Sequence, residues 1–324
     1  MIAYLLRRFL ISLVLLLAMS FLTFWLMHAT PGNFFDSLKL NPQISAETIA
    51  SYEQMYHLKD PFLVQYGHWL FNVFRGEFGY SFYYNVPAAH IIASRLWNTF
   101  LLSLVSLLLT WGLAIPLGIW AALCHGRAAD RVMGVFSFAA FSTPPFFLGV
   151  LLLYAFSQWG ILPLGGMHSA GYEDLSWFGK MIDVARHLVI PSVVLSLASI
   201  ASLQRLMRGN MLAQLRQQYI LAARARGLPE RRIIYRHALR NAFNPMVTLL
   251  GYEFASLLSG AALVEIVCSW PGLGTLMLTA VRSKDVYVVM ASMLMGGVLL
   301  LLGNMLADFL LVWVDPRIRY GKEP

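Results

Sequence analysis

Long apolar runs, broken by shorter stretches where polar residues gather, dominate this chain. Phe9 to Ala29, Thr99 to Leu123 and Val132 to Phe156 carry no Asp, Glu, Lys or Arg. Leu188 to Leu206 is shorter, with Arg205 near its end able to extend toward a membrane surface. Pro245 to Ile266 contains Glu253 and Glu265, and Val286 to Val314 contains Asp308 and is long enough to tilt. A helix crosses the ~30 Å hydrocarbon core with about 20 apolar residues, because lipid leaves no partner for an unpaired backbone group. The six runs therefore predict an all-α polytopic membrane protein with six transmembrane helices.

Composition agrees: 58% of residues are hydrophobic and 12% charged, which removes ordinary water-soluble enzymes from consideration. The net charge of +8 invites a nucleic-acid reading until its distribution is followed. The first run follows Arg7 and Arg8 and exceeds the 7–15 apolar residues of a signal core, so it reads as an uncleaved anchor with its amino terminus inside. On that orientation 16 of the 24 Lys and Arg residues fall on the inner side, the asymmetry expected of cytoplasmic loops. The surplus is thus a topology signal: both termini are expected on the cytoplasmic side of the membrane, and no nucleic acid is expected as partner. Cys124 and Cys268 fall at opposite faces, much farther apart than the ~7 Å limit for a disulfide, and are expected to be unpaired.

Residues 1–29 form the inner tip and first span, residues 30–98 a large outer segment, and residues 99–324 the core with a cytoplasmic loop at 207–244. In the outer segment Ser45 can cap a helix running through Glu47 toward His57, and Pro87 can open another through Ile91 and Ile92 into Trp97. The aromatic and Gly-rich stretch from Trp69 to Tyr84 lies between them. A surface for an external partner and a lid on the protein's own membrane domain are both open for this platform. A second outer loop, Ser157 to His187, begins with turn residues and carries Glu173, Asp174 and Asp183 near His168 and His187. No two of these ligands have helical i, i+4 spacing in an element that the sequence defines, and no metal is expected.

Chemistry of the enzymatic kind has no foothold. There is no His-Glu-x-x-His, no Gly-x-Ser-x-Gly and no phosphate-cradling Gly-x4-Gly-Lys-[Ser/Thr]. The informative polar stretch runs from Tyr219 to Pro245. Good helix formers lead to Arg226, and Gly227 suits the left-handed residue that ends a helix. Leu228 precedes proline and is pushed out of the helical region, while Pro229 suits the start of a new helix. The reading is helix, sharp corner, helix, with Arg231, Arg232, Arg236 and Arg240 keeping the second helix out of lipid. A loop on anionic headgroups is the simpler alternative, each basic residue being worth about 1 kcal/mol there. The small pair Ala222 and Ala223 and the fixed bend favour a protein socket, and a channel or secondary transporter would not need the corner.

The run Ala223-Arg-Ala-Arg-Gly-Leu-Pro, followed by His237-Ala-Leu-Arg-Asn-Ala, resembles the "EAA" loop of binding-protein-dependent ABC importer permeases of the dipeptide, oligopeptide and nickel branch. Leu6-Arg-Arg, Val264-Glu-Ile-Val-Cys-Ser-Trp-Pro-Gly-Leu-Gly274 and Asp315-Pro-Arg-Ile-Arg-Tyr320 match in order, so the resemblance brackets nearly the whole chain. It is most similar to the first, B-type permease subunit, with the type I importer fold. Leu221 stands where the motif's glutamate would be.

The resemblance implies a second permease subunit, two ABC ATPase subunits, an external solute-binding protein and surrounding membrane lipid. It implies no cofactor on this chain, with ATP and Mg bound by the partner ATPases. It assigns ATPase coupling to Ala222, Ala223, Arg224, Gly227, Leu228, Pro229, Arg232 and His237. Within the spans, Glu253 and Ser256 are candidates for the pathway, Glu265 and Trp270 for an outer gate, and Asn304 with Asp308 for an intramembrane polar clamp on one helix face. Pro116 and Ser142-Thr143-Pro144-Pro145 are expected to interrupt helical bonding. Gly251, Ala255 and Ser259 form a small stripe for close packing. Solute identity is not expected to be readable from these residues.

Overall fold

The computed structural model describes residues 2–30, 60–247 and 249–314, together with positions 47, 51 and 54, and within these the side chains of all but 2–6, 251 and 306–314. Apart from positions 47, 51 and 54, the helix expected after Ser45 lies outside the described residues, as does the motif at 315–320. The chain divides into two compact units, one of residues 1–99, 271–301 and 320–324, the other of 100–270 and 302–319.

The first unit begins with α1 (Ile2–Ala29). Its large side chains Leu10, Val14, Leu15, Leu22 and Trp25 are exposed, whereas Ser12, Ser20 and Thr23 are buried. That inversion of the soluble pattern is what lipid dictates: apolar side chains gain nothing by leaving hydrocarbon, and small or polar ones allow close approach. Ser20 shares a 2.8 Å hydrogen bond with Tyr66 of α2 (Phe62–Phe74), and Phe24 packs against Phe62. A short hairpin, β1 (Tyr80–Ser81) and β2 (Val86–Pro87), follows, turning at Asn85 with positive φ. Gly79 approaches Tyr287 so closely that a Cβ would lie 2.7 Å from its ring, so only glycine fits.

The hairpin is held by Asp285, which is wholly buried between α10 (Leu273–Arg282) and α11 (Val286–Val314). It accepts the Ser81 hydroxyl at 2.6 Å and the Tyr83 backbone N–H at 3.1 Å. Burial pushes its carboxyl above the usual carboxylate range.

In the second unit, α3 (Ala88–Leu123), whose first turns belong to the first unit, shows the same inversion: Ser103, Ser106 and Thr110 are buried, and Leu108, Leu113 and Trp120 face out. The helix begins directly after Pro87, so the expected outer helix and second span are one element, continuous through Pro116. The third span is broken instead. α4 (Ala128–Ser142) and α5 (Pro145–Trp159) meet at 106°, because Thr143 before a proline is extended and Pro144 cannot donate to the helix.

α6 (Trp177–Leu215) contains the fourth apolar run and extends far beyond it on both sides. Its 39 residues rise about 58 Å, nearly twice the hydrocarbon thickness, so it carries one structural member from one side of the bilayer well past the other. Ser176 caps its start by accepting the Gly179 N–H. After α7 (Gln218–Ala225) comes α8 (Glu230–Val247), π-helical over Ile233–Ala238, and then α9 (Leu250–Val267). Among the described residues four helices are long and apolar enough to cross alone, and there are up to six spans if the two bent pairs, α4 with α5 and α8 with α9, each count as one.

Candidate functional site

The corner between α7 and α8 is built by backbone chemistry. Gly227 has φ +72°, the left-handed conformation that a side chain disfavours. With it the Leu228 N–H reaches the Ala223 carbonyl at 3.3 Å and the Gly227 N–H reaches that of Arg224 at 2.9 Å, the paired bonds that close a helix C-terminus. Pro229 then caps α8, its carbonyl accepting from Arg232 at 2.8 Å and Ile233 at 3.2 Å. Arg224 spans the bend to Glu230, Nε to Oε1 at 2.7 Å. This hydrogen bond raises the Arg224 pKa above its ordinary value, so the group stays cationic. Both partners are half exposed to water, which limits the pair to under about 1 kcal/mol.

One side of the corner is anchored. Ile220, Ala223, Ile233, Ala238, Ala242 and Met246 are buried with Met207 and Met211 of α6 in one apolar cluster. Asn241 donates to the Tyr219 hydroxyl at 3.0 Å, and Asn210 of α6 donates to the Ala242 carbonyl at 3.3 Å. The other side is open. Leu221, Ala222, Arg224, Arg226, Gly227, Pro229, Arg231, Arg232, Tyr235 and Arg236 are exposed, while Leu228 and His237 are half-buried at its margin. The result is a rigid, basic, partly apolar ridge whose buried face belongs to the protein's own core. A loop serving only headgroups would need neither the fixed bend nor that anchorage.

The π-helical turn has no signature in the sequence that an ordinary helical reading would catch. It follows from where the side chains go: Ile233 and Ala238, five positions apart, are both buried in the same cluster, which one extra residue per turn permits.

The intramembrane candidates on α9 are spread along the helix. Glu253 sits half-buried in the first turn of α9, where the helix dipole favours an acid, and Ser256 is exposed one turn on. Glu265 stands twelve residues further, about 18 Å along the helix, and is wholly buried. The Trp270 N–H donates to the Glu265 carbonyl at 2.8 Å, and its indole is enclosed among Leu102, Leu188, Val194 and Val264. A gating motion of Trp270 would have to empty that cluster. Of the small stripe, Ala255 is buried and Ser259 exposed. Asn304 is half-buried, and the Asp308 side chain lies outside the described residues. Cys124 and Cys268 are both free, and no group of three metal-type ligands forms among the described residues.

Two features escaped the sequence. Asp285 was one outer acid among several, with nothing nearby to show that it meets Ser81. Asp130 and Arg208, 78 positions apart, were loop charges, yet they form a bidentate pair at 2.6 and 2.7 Å.

Comparison with known proteins gives consistent matches over both ends of the chain. Residues 114–320 match the family described as binding-protein-dependent transport system inner membrane component, and residues 1–104 its N-terminal membrane component. An oligopeptide transport system permease protein, AppB of Bacillus subtilis, is 38% identical over 99% of this chain and 100% of its own length. The dipeptide transport system permease protein DppB of Escherichia coli is 31% identical over 99% and 100%. The glutathione transport system permease protein GsiC of Salmonella choleraesuis is 34% identical over the same shares, 99% and 100%.

Proposed function

From its membership in the binding-protein-dependent transport system inner membrane components, to which this chain belongs as an ABC importer permease, we infer how it works within its complex. The chain forms half of a pathway, completed by a second permease, for peptides or related small solutes handed over by an external binding protein. Two cytoplasmic ATPase subunits bind and hydrolyse ATP with Mg. Their closure is received at the α7–α8 corner through Ala222, Arg224, Gly227, Pro229 and Arg232, with Ala223, Leu228 and His237 seating it. Both termini face the cytoplasm. The names of the relatives support the peptide class, and the asymmetry of Lys and Arg supports the orientation.

The observation that carries the coupling role is the corner itself: an exposed basic ridge, set at a glycine-fixed angle, backed by the apolar cluster that includes α6. Force applied there meets a packed core rather than a loose loop. The test is purification of the whole complex. Gly227 has no neighbour within 4 Å of an added Cβ, so Gly227→Val strains the backbone by about 1–2 kcal/mol without a clash. The variant is expected to reach the membrane at normal levels but to lose its ATPase subunits during purification. Retention of those subunits with unchanged binding-protein-stimulated ATPase activity would overturn the assignment.

A further inference from the structure

The inner half of α6 carries a second polar system, separate from the corner. Arg208 stands seven residues before the end of α6, about 10 Å of helix rise from the link into α7. Its guanidinium meets Asp130 side-on, Nε to Oδ1 at 2.6 Å and Nη2 to Oδ2 at 2.7 Å. Asp130 lies in the first turn of α4, is 8% exposed, and accepts the Gly126 N–H at 3.0 Å, so it also closes the turn between α3 and α4. His125 of that turn completes the group, its Nδ1 lying 3.3 Å from Asp130 Oδ2 and 3.1 Å from Arg208 Nη2.

Two neighbouring contacts point the same way. Gln204, one helical turn before Arg208, accepts the Ser137 hydroxyl of α4 at 2.8 Å. Met207 and the Gln204 carbonyl press on Gly118 of α3, where a Cβ would lie 2.7 and 2.8 Å from them. The hairpin of α3 and α4 is therefore joined to one short stretch of α6. Met207 and Met211 of that stretch also belong to the cluster that seats α7 and α8.

We propose that the Asp130–Arg208 pair is a latch that makes the α3–α4 hairpin follow the coupling corner. The proposal rests on the ATPase-coupled reading above. When the corner is displaced, α6 moves with it, and the pair obliges the hairpin to keep its register with α6. Apolar contacts are non-directional and let packed helices slide. A bidentate pair whose carboxylate is buried and whose guanidinium is half-buried fixes one geometry, and removing Arg208 leaves the enclosed Asp130 charge without its partner. Asp130 is too enclosed to meet solute or motor subunit, so it is a positioning residue, and Arg208 acts through it.

The test uses the assembled complex in lipid, with Cys124→Ser and Cys268→Ser and spin labels at Arg127→Cys and Arg216→Cys, two exposed positions on the hairpin and at the end of α6. Distances are measured without nucleotide and with Mg-ATP. In the otherwise native chain the separation is expected to be the same in both states. In Asp130→Asn and in Arg208→Gln it is expected to change on adding Mg-ATP, by up to about 5 Å, one helical turn. A purely structural pair would shift or broaden the distances equally with and without nucleotide. If the single variants assemble poorly, Asp130→Asn combined with Arg208→Gln, which leaves no unpaired charge, is measured instead. Equal separations in both states of every variant, or a nucleotide-dependent change in the native chain, would overturn the latch. Failure of the coupling reading looks different: ATPase subunits absent from the purified native complex remove this proposal together with its premise.

Discussion

Gly118 and Gly227 both serve as glycines, for opposite reasons. Gly227 is needed for its conformation, having open space around it, whereas Gly118 has ordinary helical backbone and no space. A side chain at 118 has to displace Met207 or the Gln204 carbonyl, and the backbone atom cannot yield. Gly118→Val is therefore expected to cost about 1–3 kcal/mol by overpacking. It should lower the thermal unfolding midpoint of the detergent-purified complex. Gly112→Val on the same helix, with nothing within 4 Å, is the control and should leave the midpoint nearly unchanged. Equal midpoints for the two variants would show that α3 does not press on α6 at this point.

For the elements, the decisive feature is how a two-residue strand pair survives. Such a hairpin is marginal alone, and its ladder has only the register Tyr80 with Pro87 and Ser81 with Val86. Asp285 supplies the anchor. Asp285→Ala removes the acceptor for the Ser81 hydroxyl and the Tyr83 N–H of the hairpin and should speed hydrogen exchange at Ser81 and Tyr83 by an opening free energy of about 1–3 kcal/mol, leaving α2 amides unchanged. The carboxyl's raised pKa sets the pH dependence. A group that holds its proton more tightly when folded contributes fully below its unfolded pKa, and that contribution is lost as pH rises through the raised folded value. Hairpin protection, corrected for intrinsic exchange, should thus fall with rising pH. Asp285→Asn keeps an oxygen acceptor without a charge and should abolish that fall. A pH-independent native hairpin would contradict the assignment.

At the scale of the whole molecule, the basic corner and the acidic loop before α6 are expected on opposite sides of the membrane. Glu173 is 89% exposed in that loop, paired with Lys180 at 3.1 Å, and Arg231 is exposed on the ridge. In a chain with Cys124→Ser and Cys268→Ser, an impermeant thiol reagent applied to spheroplasts should label Glu173→Cys at once and Arg231→Cys only after permeabilisation. The native thiols make poor controls, since Cys268 is buried and its pKa is pushed up to about 11. Labelling of Arg231→Cys from outside would invert the topology and with it the coupling role.

The apolar runs, the Lys and Arg asymmetry and the Gly-Leu-Pro corner were legible because each rests on local physics: hydrocarbon thickness, charge translocation and the backbone preferences of neighbouring residues. Membership in the permease family was legible for a related reason, since the corner and its companion motifs are contiguous stretches of chain. The lengths of α3 and α6 were not, because hydropathy marks where a helix sits in lipid but is silent on a polar helix continuing into water. Nor could spacing show that Asp130 meets Arg208, that Asp285 meets Ser81, that Ile233 and Ala238 share a π-helical face, or that Trp270 is enclosed. Those depend on which surfaces the fold brings together across long stretches of chain. Charge counting cannot tell a surface charge from its buried partner; only packing decides which charges lose their water.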